Sequence, residues 1–200
     1  MTPRPDVSDE RKSQILNAAE RIFTKKGFSD ARMDDIAEGT GLSKGTLYLY
    51  FKSKEDLIIA ILDRIFLSAF RQLDTRASPE TTATEAVWHF TEEVIRDYLK
   101  MLHMMPIAYE FLALAFRNSI VQKAMKQYFN VYMDALVPII QRGIDAGEFR
   151  QVDAQEVAIA AGAIFEGTVL LWVYDNSRVD VECHIRSSIK LLLDGLLVSA

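Results

Sequence analysis

"GLSKGTLYLYFKSKEDL", residues 41–57, holds three lysines, two tyrosines and no acid before Glu55, in a chain whose 200 residues carry 28 acids against 23 bases. Ser43 is placed to cap a short helix running to about Phe51. Leu47 and Phe51 lie four residues apart, so they share a face and can pack with Leu42, Ile36 and Leu57. Thr46 and Tyr50 fall on a different face, with Ser43 one turn earlier. Gly45, Tyr48 and Lys52 form the adjoining row. One side of this helix is apolar; the other offers hydroxyls, bare backbone and lysine.

Working upstream, Ile15, Ala18, Ala19, Ile22 and Phe23 repeat at helical spacing and predict an amphipathic helix that stops before Gly27. A short helix is expected from Met33 to Glu38, with Asp34 and Asp35 at the positive end of its dipole. Gly39-Thr40-Gly41 reads as a turn. Downstream, Ser53 and Asp56 form a capping-box pattern opening a fourth helix, expected to continue to about Leu73. Helix, glycine-bearing turn and short second helix make a helix-turn-helix, whose second helix enters the DNA major groove.

Each outward residue type has a use there. Lys44 can reach a guanine edge or a phosphate, and Gly45 lets the backbone approach the groove wall. Thr46 can meet a thymine methyl or a phosphate; Ser43, Tyr48 and Tyr50 suit phosphate oxygens. Lys52 extends this row, and Lys54 adds charge to the N-terminal dipole of the fourth helix. Residues 1–60 hold ten bases and ten acids, so polyanion binding must come from this local clustering rather than from bulk charge.

The stretch "DARMDDIAEGTGLSKGTLYLYFKSKEDL" resembles the N-terminal domain of the TetR/AcrR family of transcriptional regulators, through Ile36-Ala37, Gly41, Ser43 to Tyr48, Tyr50-Phe51 and Lys52 to Leu57. The resemblance covers residues 9–57, about a quarter of the chain. It implies an all-α homodimer, usually a repressor, that a small molecule releases from a palindromic operator. It also implies that Lys44, Gly45, Thr46, Tyr48, Tyr50 and Lys54 face DNA. The family usually has threonine where this chain has Arg32. Arg32 cannot cap a helix by accepting an N–H, so Ser29 or Asp30 could cap with a shifted start, and Arg32 could contact phosphate instead.

Beyond residue 57 helical periodicity continues. Ser78 and Pro79 are expected to open a helix running to about Met104, and Pro106 to break it and open another. A long helix from about Ile120 should end at Gly147, with Pro138 as a kink. The reading is all-α, with about nine helices: a helix-turn-helix domain over 1–57 and a ligand-binding and dimerisation domain over 58–200. Val157 to Tyr174 is 18 residues with one charge, Glu166. A central carboxylate is costly in lipid and no second span is present, so a soluble helix buried on most sides is expected rather than a membrane span.

The expected dimer surface lies on the last two helices: the stripe Ile185, Ile189, Leu192, Leu193 and Leu196, and the small residues Ala158, Ala161 and Gly162; the alternative is that they pack only within the chain's own core. The expected ligand pocket draws on Met101, Met105, Tyr109, Phe116, Phe129, Tyr132, Phe165 and Glu166; the alternative is that they are ordinary core residues and that Glu166 makes a structural hydrogen bond or ion pair. Thioethers and aromatics make adaptable apolar walls, and a carboxylate in an apolar helix needs a partner. No cofactor is implied. Cys183 is the single cysteine, and His89 and His103, 14 residues apart, stand about 21 Å apart on a helix and cannot share a metal. No enzyme motif appears, neither a P-loop nor a Gly-x-Ser-x-Gly elbow nor a His-Glu-x-x-His pair. The expected function is a cytoplasmic, DNA-binding regulator answering a small, largely apolar molecule. A regulator controlled by a protein partner, or acting as an activator, is the alternative.

Overall fold

The computed structural model describes residues 7–64 and 81–198, and nine helices run through them. They are α1 (Val7–Asp30), α2 (Met33–Thr40), α3 (Lys44–Tyr50), α4 (Lys54–Leu62), α5 (Ala83–Met101), α6 (Met105–Ala115), α7 (Ser119–Asp145), α8 (Ala154–Tyr174) and α9 (Val181–Leu196). A 3-10 turn, Leu102–Met104, joins α5 to α6. No strand occurs among the described residues; Phe149 and Leu197 form an isolated antiparallel bridge. The chain divides into two compact units, Met1–Ile65 with Pro106–Met125, and Phe66–Met105 with Lys126–Ala200. The first unit therefore includes a returning segment that the expected boundary at residue 57 leaves out.

In the first unit the apolar stripe of α1 (Ile15, Ala18, Ala19, Phe23) is fully buried together with Ile36, Leu47, Leu57 and Ile61. Helix α1 breaks at Gly27, whose φ of 75° is open to glycine at little steric cost, then makes one more turn. Gly41 closes α2 in the left-handed region, with its N–H donating to Glu38 O, which gives the tight turn before α3. Helix α2 begins at Met33, and Ser29 and Asp30 do not cap it. Arg32 stands at the N-cap, and its own N–H donates to Asp35 Oδ2 at 3.0 Å. An acid three residues into the helix thus supplies the reciprocal half of a capping box, satisfying the N–H of the N-cap residue itself. Ser43 and Ser53 cap as expected, accepting the N–H of Thr46 at 3.1 Å and of Asp56 at 3.2 Å.

In the second unit α5 starts at Ala83, with Thr82 and Glu85 forming a reciprocal capping box. Ser78 and Pro79, and the expected extension of α4 to Leu73, lie outside the described residues. The same helix end has a second acceptor. The carboxylate of Glu148, 65 residues away in the α7–α8 connection, takes the N–H groups of Ala83 at 2.7 Å and Thr84 at 2.8 Å. Burial opposes ionisation of Glu148, but hydrogen bonds from Thr84 and Ala83 and the nearby charge of Arg142 outweigh it, and its pKa is lowered. A lowered folded-state pKa contributes stability that is complete above the ordinary glutamate range, near pH 4.3, and is lost as pH falls through the lowered value. Glu148→Ala is therefore expected to cost about 1–2 kcal/mol at neutral pH, like the loss of a helix cap. That difference from wild type should shrink below about pH 4 in thermal melts.

Candidate nucleic-acid interface

Helix α3 is held from behind. Leu47 is fully buried and Phe51 nearly so, and Ser43 Oγ both caps the helix and lies 2.8 Å from Thr46 Oγ1. Lys44, Gly45, Tyr48, Leu49 and Lys52 are exposed, whereas Thr46 and Tyr50 are half-buried at the flanks. The row of Gly45, Tyr48 and Lys52, with Lys44, is thus outward, while the expected hydroxyl row of Ser43, Thr46 and Tyr50 lies along the flank. Leu49 stands on it as well, 77% exposed; its exposure follows from the same helical phase, though apolar character alone assigns it to the core.

Two lysines differ in their freedom. Lys44 Nζ pairs with Asp34 Oδ2 at 2.7 Å, both side chains well exposed. Such a pair is worth about 0–1 kcal/mol and leaves Lys44 available to a stronger acceptor. Lys54 is drawn inward instead. Its ammonium donates to Phe28 O at 2.8 Å and Ser29 O at 3.2 Å, and stands 4.5 Å from the Phe28 ring centroid. In the DNA-free chain Lys54 thus braces the end of α1 at Phe28 and Ser29. Glu110 on α6 grips the other side of Phe28, accepting its N–H at 2.8 Å. Phe23, Phe28 and Phe111 close around it, ring centroids 5.5–5.9 Å apart.

Ser29 to Asp34, Tyr48 and Lys54 line an open cleft of about 620 Å³ beside α3. Arg32 is exposed at its rim. Asp35, further into α2, is held below the usual carboxylate range, first by its hydrogen bond from Lys26 at 2.8 Å and then by the N–H of Arg32. The charges along the cleft nearly cancel, Arg32 and Lys54 against Asp30 and Asp34. What the surface presents is shape, hydroxyls and a bare helix edge rather than a dense cationic patch.

The sequence model of bacterial regulatory proteins of the TetR family matches residues 15–61, and that of the C-terminal region of QacR-like proteins matches residues 72–198. The chain belongs to the TetR family. Along 98% of its length and 98% of the relative's, it is 32% identical to the HTH-type transcriptional regulator YfiR of Bacillus subtilis. It is 26% identical to the fatty acid metabolism regulator protein of the same organism, over 92% and 94% of the two chains. The crystal structure of FadR from Bacillus subtilis in complex with stearoyl-CoA superposes with a TM-score of 0.77 at 24% identity, covering 92% and 98%. The all-α fold and the transcriptional role of this TetR-family chain are established by these matches together with the helix-turn-helix.

The residues expected at a dimer surface sit otherwise. Ala158, Ala161, Ile185, Ile189, Leu193 and Leu196 are buried within the second unit's own core, and Leu192 is half-buried. Gly162 faces Tyr132, whose ring lies about 3.2 Å from where a Cβ would stand, and Tyr132 Oη donates to Ala158 O at 2.7 Å. That stripe is therefore the seam that packs α8 and α9 onto the body of the unit. The outer rows are different residues: Ile159, Ala160, Ala163, Glu166 and Leu171 on α8, and Leu191 and Gly195 on α9, all exposed. Helix α8 is long and apolar enough to cross a membrane by length and composition, yet only 28% of its most apolar 18 residues is buried. The expectation of a helix buried on most sides is corrected by this half-covered one.

The expected pocket residues also scatter. Phe165 is buried and lines a small apolar cavity of about 10 Å³ with Phe90, Leu136 and Val157. A single water needs about that much room, so this cavity by itself holds no ligand. Met105 is buried, Met101 and Tyr109 are half-buried, and Phe129 and Phe116 are exposed. The rings of Phe129 and Tyr132 stand 6.5 Å apart. Glu166 occupies the exposed outer row of α8, not the interior; the protein mass around its carboxyl raises the pKa.

Proposed function

We propose that the protein is a homodimeric repressor that reads a two-fold symmetric operator through α3 and releases it when a largely apolar small molecule occupies the second unit. The observation that carries this is the outward row of α3, with its apolar back sealed by Leu47 and Phe51. Near-cancelling charge around the cleft supports selection by groove fit and base contact over bulk electrostatics, which would leave a shallow salt dependence.

Dimerisation is supported by the outer rows of α8 and α9. Leu171 is 55% exposed and Leu191 73%, beside Ala160, Ala163, Gly167 and Gly195, whose small side chains allow two helices to approach closely. Exposed apolar residues at helical spacing on two packed helices favour an interaction site there. A two-fold dimer buries each residue twice, so Leu171→Ser is expected to weaken self-association by about tenfold in sedimentation experiments, without lowering helix content. Unchanged association would remove α8 from the interface.

For the ligand, the Bacillus fatty acid regulator and the stearoyl-CoA complex of FadR make acyl chains the first probe. The apolar lining of the second unit supports that chemistry. Purified protein should recover palindromic duplexes from a randomised library, and stearoyl-CoA should lower their retention. Recovery of duplexes without a common sequence would sink the operator reading, and retention indifferent to every apolar probe would sink the inducer.

A further inference from the structure

We propose that Leu49 reads the 5-methyl group of a thymine at the centre of each half-site; this rests on α3 being the DNA-reading helix. At about 100° per residue, Leu49 lies roughly 160° round α3 from the anchor Leu47, and Gly45 lies roughly 160° round in the other sense. The line pointing straight away from the domain core therefore passes between Gly45 and Leu49. Thr46 and Tyr48 sit about 80° to either side of that line, where the groove walls and their phosphates stand. In the middle of the outward face there is thus one side chain, a leucine 77% exposed, beside a residue with none. Nothing packs against the missing side chain of Gly45 except Ser43 Oγ, 3.8 Å from a Cβ placed there, so the backbone can approach until Leu49 meets the floor of the groove.

That floor is polar with one exception. Guanine, cytosine and adenine present acceptors and amino groups along the major-groove edge, and only thymine adds an apolar group, its C5-methyl. Leucine pressed on a polar edge would strip water from it and return no hydrogen bond, an unfavourable exchange. Against a methyl group both surfaces leave water. The chemistry of the side chain therefore selects thymine at the base step it covers. Lys44 and the flanking hydroxyls supply the polar contacts around it.

The test is a thymine-to-uracil scan of a duplex recovered from a randomised library by the wild-type protein, since uracil differs only in lacking that methyl. One thymine in each half-site should stand out, its replacement weakening wild-type binding about fourfold per half-site, the transfer value of one buried methyl group. Leu49→Ala, an exposed change whose folding is checked by circular dichroism, should weaken the thymine duplex and abolish that difference at the same position. A scan with no sensitive position overturns the proposal. So does a Leu49→Ala protein that keeps the wild-type thymine preference, or one that loses affinity equally for every duplex, which would put Leu49 against the sugar-phosphate edge. Failure to recover any duplex speaks instead against α3 as the reading helix.

Discussion

Gly45→Leu is expected to leave the protein folded and to weaken operator retention by at least about 100-fold, a large part of the margin by which specific binding exceeds non-specific binding. Two facts separate binding from folding at this position. A Cβ on residue 45 would meet only Ser43 Oγ, at 3.8 Å, an ordinary contact. Residue 45 is the second residue of α3, in its first turn, where replacing glycine gains part of the about 1 kcal/mol that separates it from good helix formers in a helix interior. The melting temperature should therefore hold or rise slightly. On DNA the added side chain occupies the gap between backbone and base edges, lifts α3 off the groove floor and breaks every contact that depends on close approach. A gel shift with the selected duplex, paired with a thermal melt, reads both sides. Wild-type retention by a normally folded Gly45→Leu protein would mean that α3 approaches DNA by some other face.

How far such arguments could be taken from the sequence differs between the two units, and the difference has a physical cause. Around α3, Leu47 and Phe51 share one face four residues apart while glycine, hydroxyls and lysine dominate the rest, so phase sorted all but Leu49, and the caps at Ser43 and Ser53 are local hydrogen bonds that residue spacing declares. In α8 nearly every residue is apolar, so the pattern carries no phase. Ala158 and Ala161 were as eligible for the outer row as Ala160 and Ala163, and packing against α9 and Tyr132 decided between them. Leu49 was hidden by the opposite error, a side chain whose type says core and whose position says groove. Long-range partners left no trace either. Lys54 reaches back 26 residues to Phe28, and Glu110 meets the same residue across 82. Neither the charge of the one nor the carboxylate of the other announces a backbone atom as its target. At Arg32 the departure from the family's threonine was visible, and its remedy sat three residues on, in Asp35.

The second unit offers an equally sharp test at Gly143, near the end of α7. A Cβ there would stand 2.5 Å from Phe149 Cε2 and 2.7 Å from the Cβ of Ala83, distances real side chains do not occupy. Phe149 has little room to yield. It is 1% exposed, its N–H donates to Gly143 O at 3.0 Å, and it is bridged to Leu197 beyond the end of α9. The neighbouring Glu148 is fixed by the N-terminus of α5, while Arg150 N–H donates to Leu196 O at 2.9 Å. One connection thus joins the ends of three helices, and Gly143 is where the ring of Phe149 fills the space a side chain would take. Gly143→Ala should force that ring outward and cost about 3 kcal/mol, the upper range of overpacking, lowering the melting temperature by about 6–12 °C. If the clash is the cause, shrinking the ring must relieve it: Gly143→Ala with Phe149→Leu should be more stable than the sum of the two single changes predicts. Strict additivity would assign the loss to the helix backbone, and an unchanged melting temperature for Gly143→Ala would show that Phe149 does not lie against α7 at all.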